Sequence, residues 1–334
     1  MLAGTARPVC GQGFSLKYLE SGPSTSIRGL SVLNDSVAWL SGTDGWVGWT
    51  TDRGLTWQWR QVTSHEAKDF RDIEAFSADE AVLLCAGSPL VILHTQDGGD
   101  SWEQVYQDSR KEIFFDGMDF WDDRRGIAYG DPIGGVMQLL VTDDGGRSWE
   151  DISARAGVRW EEGEAGFAAS GTGIRVLPGG HVFIASGGLR SQLYHSTDYG
   201  LTWEQHDCPI LQGESSTGIF SIAFRDPLNG LAVGGDYGRD TLRNDVIFLT
   251  SDGGKSWNQP RRGTNGYRSA VEYVTPRKLI ATGTSGTDYS TDGGITWELL
   301  SNDGFHAVRK AKKGSWVLLA GANGRIAAMH QMTP

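Results

Sequence analysis

One eight-residue phrase recurs six times along the 334 residues, and nothing else in the chain constrains the fold as strongly. The copies are "TTDRGLTW" from Thr50, "TQDGGDSW" from Thr95, "TDDGGRSW" from Thr142, "STDYGLTW" from Ser196, "TSDGGKSW" from Thr250 and "STDGGITW" from Ser290. Their aspartates, Asp52, Asp97, Asp144, Asp198, Asp252 and Asp292, are spaced 45, 47, 54, 54 and 40 residues apart. Around each box the same order returns: an apolar strand, a turn, a strand ending in Gly, a loop, a strand running into the box and a strand starting at the Trp. In the first unit these are "IRGLSVL", "SVAWLSG", "GWVGWTT" and "TWQWRQV", several with period-2 alternation. Four antiparallel strands per unit of this length predict an all-β β-propeller. The 47 Gly and 13 Trp agree with many short strands and tight turns.

The box has a physical task in such a fold. Between the third and fourth strands the chain reverses tightly, so glycine supplies positive φ and the Asp carboxylate accepts backbone N–H bonds across the turn. The Ser and Thr hydroxyls tie down the remaining groups, and Trp packs between neighbouring sheets. The six box aspartates are therefore assigned to fold maintenance, not to catalysis or metal binding.

The two ends of the chain complete each other. "FHAVRKA", "SWVLLAG" and "GRIAAMH" match the first three strands of a unit, and "FSLKYLES", Phe14 to Ser21, matches a fourth. Joining them closes seven blades with no free sheet edge in the ring. The expected layout is one propeller domain over residues 14–334, preceded by a leader or disordered tail over residues 1–13.

Net charge and motifs exclude several functions. A formal charge of −11 argues against nucleic acid, since polyanion binding needs a basic surface. The short basic run "VRKAKKG" reads as an exposed turn. No apolar stretch reaches the length of a membrane span. The three cysteines, Cys10, Cys85 and Cys208, show no CxxC or Cys/His spacing, and the seven histidines give no i, i+4 pair, so no metal is expected. No dinucleotide, P-loop, GxSxG or HExxH motif is present, so no cofactor is expected. Gly4 and Ala6 are small residues placed as before a signal-peptidase cut, which suggests export to the periplasm or beyond, with a cytoplasmic protein as the alternative.

Function belongs on the face without the boxes, where long loops sit on a rigid scaffold. Positions at the starts of the innermost strands, Arg28, Arg71, Asp116, Arg268 and His306, are expected to ring one mouth of the central channel. Loops between second and third strands add Asp44, Asp131, Arg190 and the stretch "GGDYGRDTLRND", with Asp236, Tyr237, Arg239, Asp240 and Arg243. Inter-blade segments add Glu162, Glu164 and Glu214. Arg28, Arg71, Arg190, Tyr237, Arg239, Arg268 and His306 form the candidate binding set. Guanidinium pairs suit carboxylates, phosphates or the polar groups of a glycan. The bland reading is a polar, water-filled mouth whose charges cancel.

The boxes, together with "RGLSVLNDSVAWLSG", "DFRDIEAF", "GMDFW", "GDPIGG", "FAASGT", "SGGLRS", "GYRSAVEY" and "GTSG", resemble the Asp-box or bacterial neuraminidase repeat family. Over the stretch from Phe14 onward the chain is similar to the photosystem II stability/assembly-factor-like group of seven-bladed propellers. That resemblance implies a non-catalytic monomer that presents its mouth to a protein or glycan partner; photosynthetic members act as assembly chaperones on membrane-protein intermediates in the thylakoid lumen. The sialidase-like fold implies an alternative, a glycoside hydrolase or lyase, for which Asp116, Asp131, Glu164 and Asp236 are the pool of carboxylates. Sialidases carry an Arg-Ile-Pro motif, and "GIRVLP" at Gly173 to Pro178 is not that motif.

Overall fold

The protein is described by a computed structural model covering residues 9–11 and 14–331. Seven antiparallel sheets, five of four strands and two of five, stand around a central axis, each with its inner blade strand beside those of its two neighbours. Blade 1 runs through Ile27–Val32, Ala38–Gly42, Trp46–Thr50 and Gln58–Gln61. Blades 2, 3, 4 and 6 repeat this order, with inner strands Phe70–Ala75, Phe115–Phe120, Ile174–Leu177 and Ala270–Thr275. Blade 7 takes Ala307–Lys310, Val317–Ala320 and Ile326–Gln331 from the end of the chain. Its fourth strand is Phe14–Tyr18, in antiparallel register with Leu16 opposite Met329 and Tyr18 opposite Ala327. The ring closes as the end-matching predicts. Val9–Gly11 adds a short fifth strand outside Phe14–Tyr18; the rest of the expected 1–13 leader lies outside the described residues.

Blade 5 departs from the pattern for a local reason. Its strands Thr217–Phe224, Gly230–Asp236 and Ile247–Thr250 are followed by a single bridge, Leu249 to Asn258, in place of a fourth strand. The next residue in register opposite Ile247 is Pro260, which has no N–H to give the ladder, and the chain leaves the sheet there. On its axial side blade 5 gains two short strands, Gly187–Gly188 from the loop between the second and third strands of blade 4 and Glu164–Ala165 from the segment that precedes blade 4.

Among the described residues the apolar side chains form one cluster at each of the seven blade junctions and a small eighth at the mouth around Ala169, Phe220 and Tyr267, and not one central core. Phe14 and Leu16 lie in the cluster between blades 6 and 7, so the closing strand is bonded by packing as well as by its ladder.

The six boxes are hydrogen-bonded units of nearly identical geometry. In the first, Thr50 Oγ1 donates to Asp52 Oδ1 at 2.8 Å and accepts from Gly54 N at 3.0 Å, while Thr56 donates to Asp52 through its N at 2.9 Å and its Oγ1 at 2.6 Å. The same bonds recur about Asp97, Asp144, Asp198, Asp252 and Asp292. These donors, the Thr56 hydroxyl first, hold the Asp52 carboxyl down at about 2. Trp149, Trp203 and Trp297 each return an indole N–H to the glycine carbonyl of their own box. Among the described residues, no helix is long and apolar enough to cross a membrane.

Candidate functional site

The innermost strands begin with a bulge that decides which side chains reach the axis. In blade 1 Ile27 pairs with Gly42 and Gly29 with Ser41, leaving Arg28 as the extra residue. Arg71, Asp116 and Phe220 occupy the same place in blades 2, 3 and 5. A bulged residue is re-aimed relative to the pleat, here toward the channel mouth.

Arg28 and Arg71 accordingly line a cavity of ≈ 390 Å³ on the face away from the boxes. Its wall is aromatic: Phe167 stacks on Phe220 at 3.8 Å between ring centroids, and Tyr267 and Tyr237 meet Phe220 edge-on at 4.7 and 6.1 Å. His306 also lines the cavity; burial, with Arg28 and Arg71 adding to it, pushes its imidazole down to about 3, so it is neutral there. Tyr237, 55% exposed, stands at the rim on the turn Tyr237–Arg239. No carboxylate belongs to the lining.

The floor of the cavity is a strap that the sequence reading did not anticipate. Residues 165–172 leave the edge of blade 5, cross the mouth and enter the channel, and six polar contacts on the way reach six different blades. Gly166 N donates to Asp131 Oδ1 at 2.8 Å. Arg71 Nη1 donates to Ala168 O and Arg28 Nη1 to Ala169 O, both at 3.1 Å. Ser170 Oγ donates to Ser269 O at 2.7 Å, Arg309 Nη2 to Gly171 O at 3.1 Å, and Thr172 Oγ1 to Ser221 Oγ at 2.6 Å. Below the strap the channel is filled by opposed charges, with Arg175 3.0 Å from Glu272 and Lys312 paired with Glu74. The run read as an exposed basic turn thus sends Arg309 and Lys312 into the channel. The signal for the strap was available: the Gly/Ala-rich "EAGFAASGTG" falls within one of the two 54-residue box spacings.

Several expected site residues lie elsewhere. Arg268 is a correction: it is 0% exposed and bonded to Asp288, with Nε–Oδ2 at 2.7 Å, and to the Ser285 hydroxyl and the Tyr267 carbonyl. In blade 6 Ala270 pairs with Thr282 and Ser269 N donates to Thr282 O, so Ser269 takes the mouth position and Arg268 falls one residue earlier, between blades. A one-residue slip in a strand exchanges the two faces. Asp116 holds the bulge position but is 1% exposed, sealed beneath Gly166. Arg190 is held on the outer surface by Glu161 at 2.7 and 2.8 Å, and Arg239 by Glu214 at 2.7 Å and by Asp236; neither lines the mouth.

The carboxylate pool does not assemble across a cleft. Asp116 and Asp131 are neighbours under the strap. Burial, with the Asp131 charge added, drives the Asp116 carboxyl well above the usual range, and burial alone lifts Asp131 to about 6 against the opposing Gly166 N–H. Glu164 is buried by bonds from Tyr194 OH at 2.9 Å, Glu161 N at 2.9 Å and Ser186. Asp236 caps the Tyr237 turn through Gly238 N at 2.8 Å. Glycosidases need two carboxyl groups facing a sugar-sized space roughly 5–9.5 Å apart, and none of the four lines the mouth cavity. Among the described residues no group of three or more His, Cys, Asp or Glu is arranged to hold a metal ion, and Cys85 and Cys208 are free and buried.

Comparison with known proteins gives the same architecture. The sequence model of the family described as Photosynthesis system II assembly factor YCF48 matches residues 24–112, and that of the BNR/Asp-box repeat matches residues 288–299. The Photosystem II stability/assembly factor HCF136, chloroplastic, of Arabidopsis thaliana is 24% identical over 320 residues, covering 80% of this chain and 76% of that protein. Among solved structures, YCF48 bound to D1 peptide superposes with a TM-score of 0.68 at 19% identity, covering 96% of this chain and 97% of that one. YCF48 from Cyanidioschyzon merolae gives 0.68 at 19% identity over 94% and 98%.

Proposed function

We propose that this chain, an Asp-box propeller resembling the photosystem II stability/assembly factors, is a binding protein that takes a segment of a protein partner at its channel mouth. The observation that carries the reading is the mouth cavity itself: two arginines and an aromatic wall, open on the face away from the boxes, with no carboxylate in the lining. Arg28 spends one N–H on the strap, and Arg71 spends one on the strap and its Nε on Asp69; the remaining guanidinium N–H groups of the pair are left for contact with a carboxylate. The rings of Phe167, Phe220 and Tyr237 offer apolar surface beside that contact, which suits a peptide better than a free inorganic anion. One similar propeller, YCF48, has been solved with a D1 peptide, which supports a protein partner over a glycan.

Affinity capture from the native host, followed by titration calorimetry with the captured partner, tests this. Arg28→Lys with Arg71→Lys should weaken binding at least tenfold while the melting temperature stays within a few degrees, because lysine cannot reproduce the paired geometry. Wild-type affinity in that double variant removes the mouth from the reading. A monomer exported to the periplasm or beyond is part of the same proposal, the export motivated by the small residues Gly4 and Ala6. Sizing of the purified protein and fractionation of the host check these two points.

A further inference from the structure

The strap closes the floor of the mouth through contacts spread along its length. At the inner end Ser170 and Thr172 are fully buried and bonded to neutral groups of blades 5 and 6, with Arg309 on Gly171 O between them. At the outer end the backbone is held by charged side chains: Asp131 on Gly166 N, Arg71 on Ala168 O and Arg28 on Ala169 O. Glycines with positive φ bracket the segment, Gly163 at 78° and Gly171 at 67°. Such positions let the chain turn without the penalty a Cβ would bring. Gly166 has no room for one, because a methyl there would enter the Asp116 carboxyl group.

We propose that residues 165–169 are a proton-responsive strap over the mouth, anchored by Asp131 through the Gly166 N–H and loosened when that carboxylate takes up a proton. The groups facing Asp131 leave it as the one that changes charge at this anchor near neutral pH. Asp116, in the same blade, is pushed well above the usual carboxylate range by burial and by the Asp131 charge, and it does not accept from Gly166 N. Tyr129, beside both, is held neutral by burial. From blade 2, Asp69 is bonded to Arg71. Asp72 is lifted to about 6 by burial, but it accepts from Met118 N and Ile73 N, not from the strap. Beyond them lie Arg28 and the neutral His306, and Glu164 at the start of the strap is occupied by Tyr194, Ser186 and Glu161 N. With Asp131 titrating at about 6, the anchor is charge-assisted above that pH and a weaker neutral hydrogen bond below it.

As regulation of the binding mouth, this rests on the preceding proposal, so the test uses the free protein and reads the strap alone. Hydrogen exchange of peptides spanning 165–170, corrected for the intrinsic pH dependence of exchange, is followed from pH 7.5 to pH 5. Protection should fall about tenfold, the ratio expected when a charged acceptor becomes neutral. Asp131→Asn should show the low protection at both pH values, with no step. Gly166→Ala, which wedges the strap off Asp116 without touching Asp131, should likewise lower protection at pH 7.5, and it serves if Asp131→Asn does not fold. Wild-type protection that is flat with pH overturns the proposal, as does Asp131→Asn retaining wild-type protection at pH 7.5. A fall shared equally by the inner strand 219–224 marks global opening and overturns it too. Partner binding that stays unchanged while the strap loosens as expected would instead count against the mouth as the binding face and leave the strap proposal standing.

Discussion

Replacing Arg268 by Met separates the structural arginine from the two at the mouth. The guanidinium and Asp288 are both 0% exposed, and the substitution leaves Asp288 with only Asn265, through N at 3.0 Å and Nδ2 at 2.6 Å. Removing one partner of a buried pair costs about 3–5 kcal/mol, because the remaining charge stays out of water. Unfolding entropy near 2.1 cal/mol/K per residue gives about 0.7 kcal/mol per K for a chain of this length, so the melting temperature should drop by roughly 4–7 °C. Adding Asp288→Leu removes the stranded charge and should recover most of the loss, since a packed apolar pair often equals a buried ion pair. The assay is a calorimetric melt of both single variants and the double variant, with titration of the captured partner alongside. Arg268→Met should bind normally below its melting point, whereas Arg28 and Arg71 variants should melt normally and bind poorly. A melt of Arg268→Met within about 1 °C of wild type, or lost binding with an unchanged melt, would refute the assignment of Arg268 to the junction between blades.

Three further outcomes test the frame. Deletion through residue 13 removes only the short outer strand and should be nearly silent in a melt, whereas deletion through Ser21 takes Phe14 and Leu16 from the junction of blades 6 and 7 and should abolish cooperative unfolding. Asp252→Ala removes the acceptor of Ser256 N at 2.9 Å and of the Thr250 hydroxyl, and should cost about 1–2 kcal/mol by chemical denaturation without a selective loss of binding. Burial lifts Asp72 to about 6, so the folded state holds its proton where the unfolded chain has lost it. The associated stability is complete below pH 4 and is lost as pH rises toward 6. Denaturant midpoints between pH 4 and 7 should show this fall, and Asp72→Asn should make it shallower, with Asp131, also lifted to about 6 by burial, supplying the remainder.

The sequence by itself determined the ring. Six boxes fix six strand reversals through bonds among residues at most four apart, as at Thr50, Asp52 and Thr56, so the blade number and the role of the box follow from local chemistry. The closing strand was equally legible, because "FSLKYLES" supplies the alternation that the last blade lacks. Arg28, Arg71 and His306 line one cavity as expected because a repeat places equivalent residues at equivalent points on a ring, and Tyr237 joins them from the long loop of blade 5. Only the tertiary structure decided the rest. Whether an arginine faces the channel or a blade junction depends on one residue of register, which pattern alone assigned wrongly at Arg268, where Ser269 lines the mouth instead. The long box spacing marks where the strap is inserted, but its course was not legible for a related reason: its glycines and alanines carry no periodicity, and its partners, Arg28, Arg71, Asp131 and Arg309, come from four different blades that only ring closure brings to one axis.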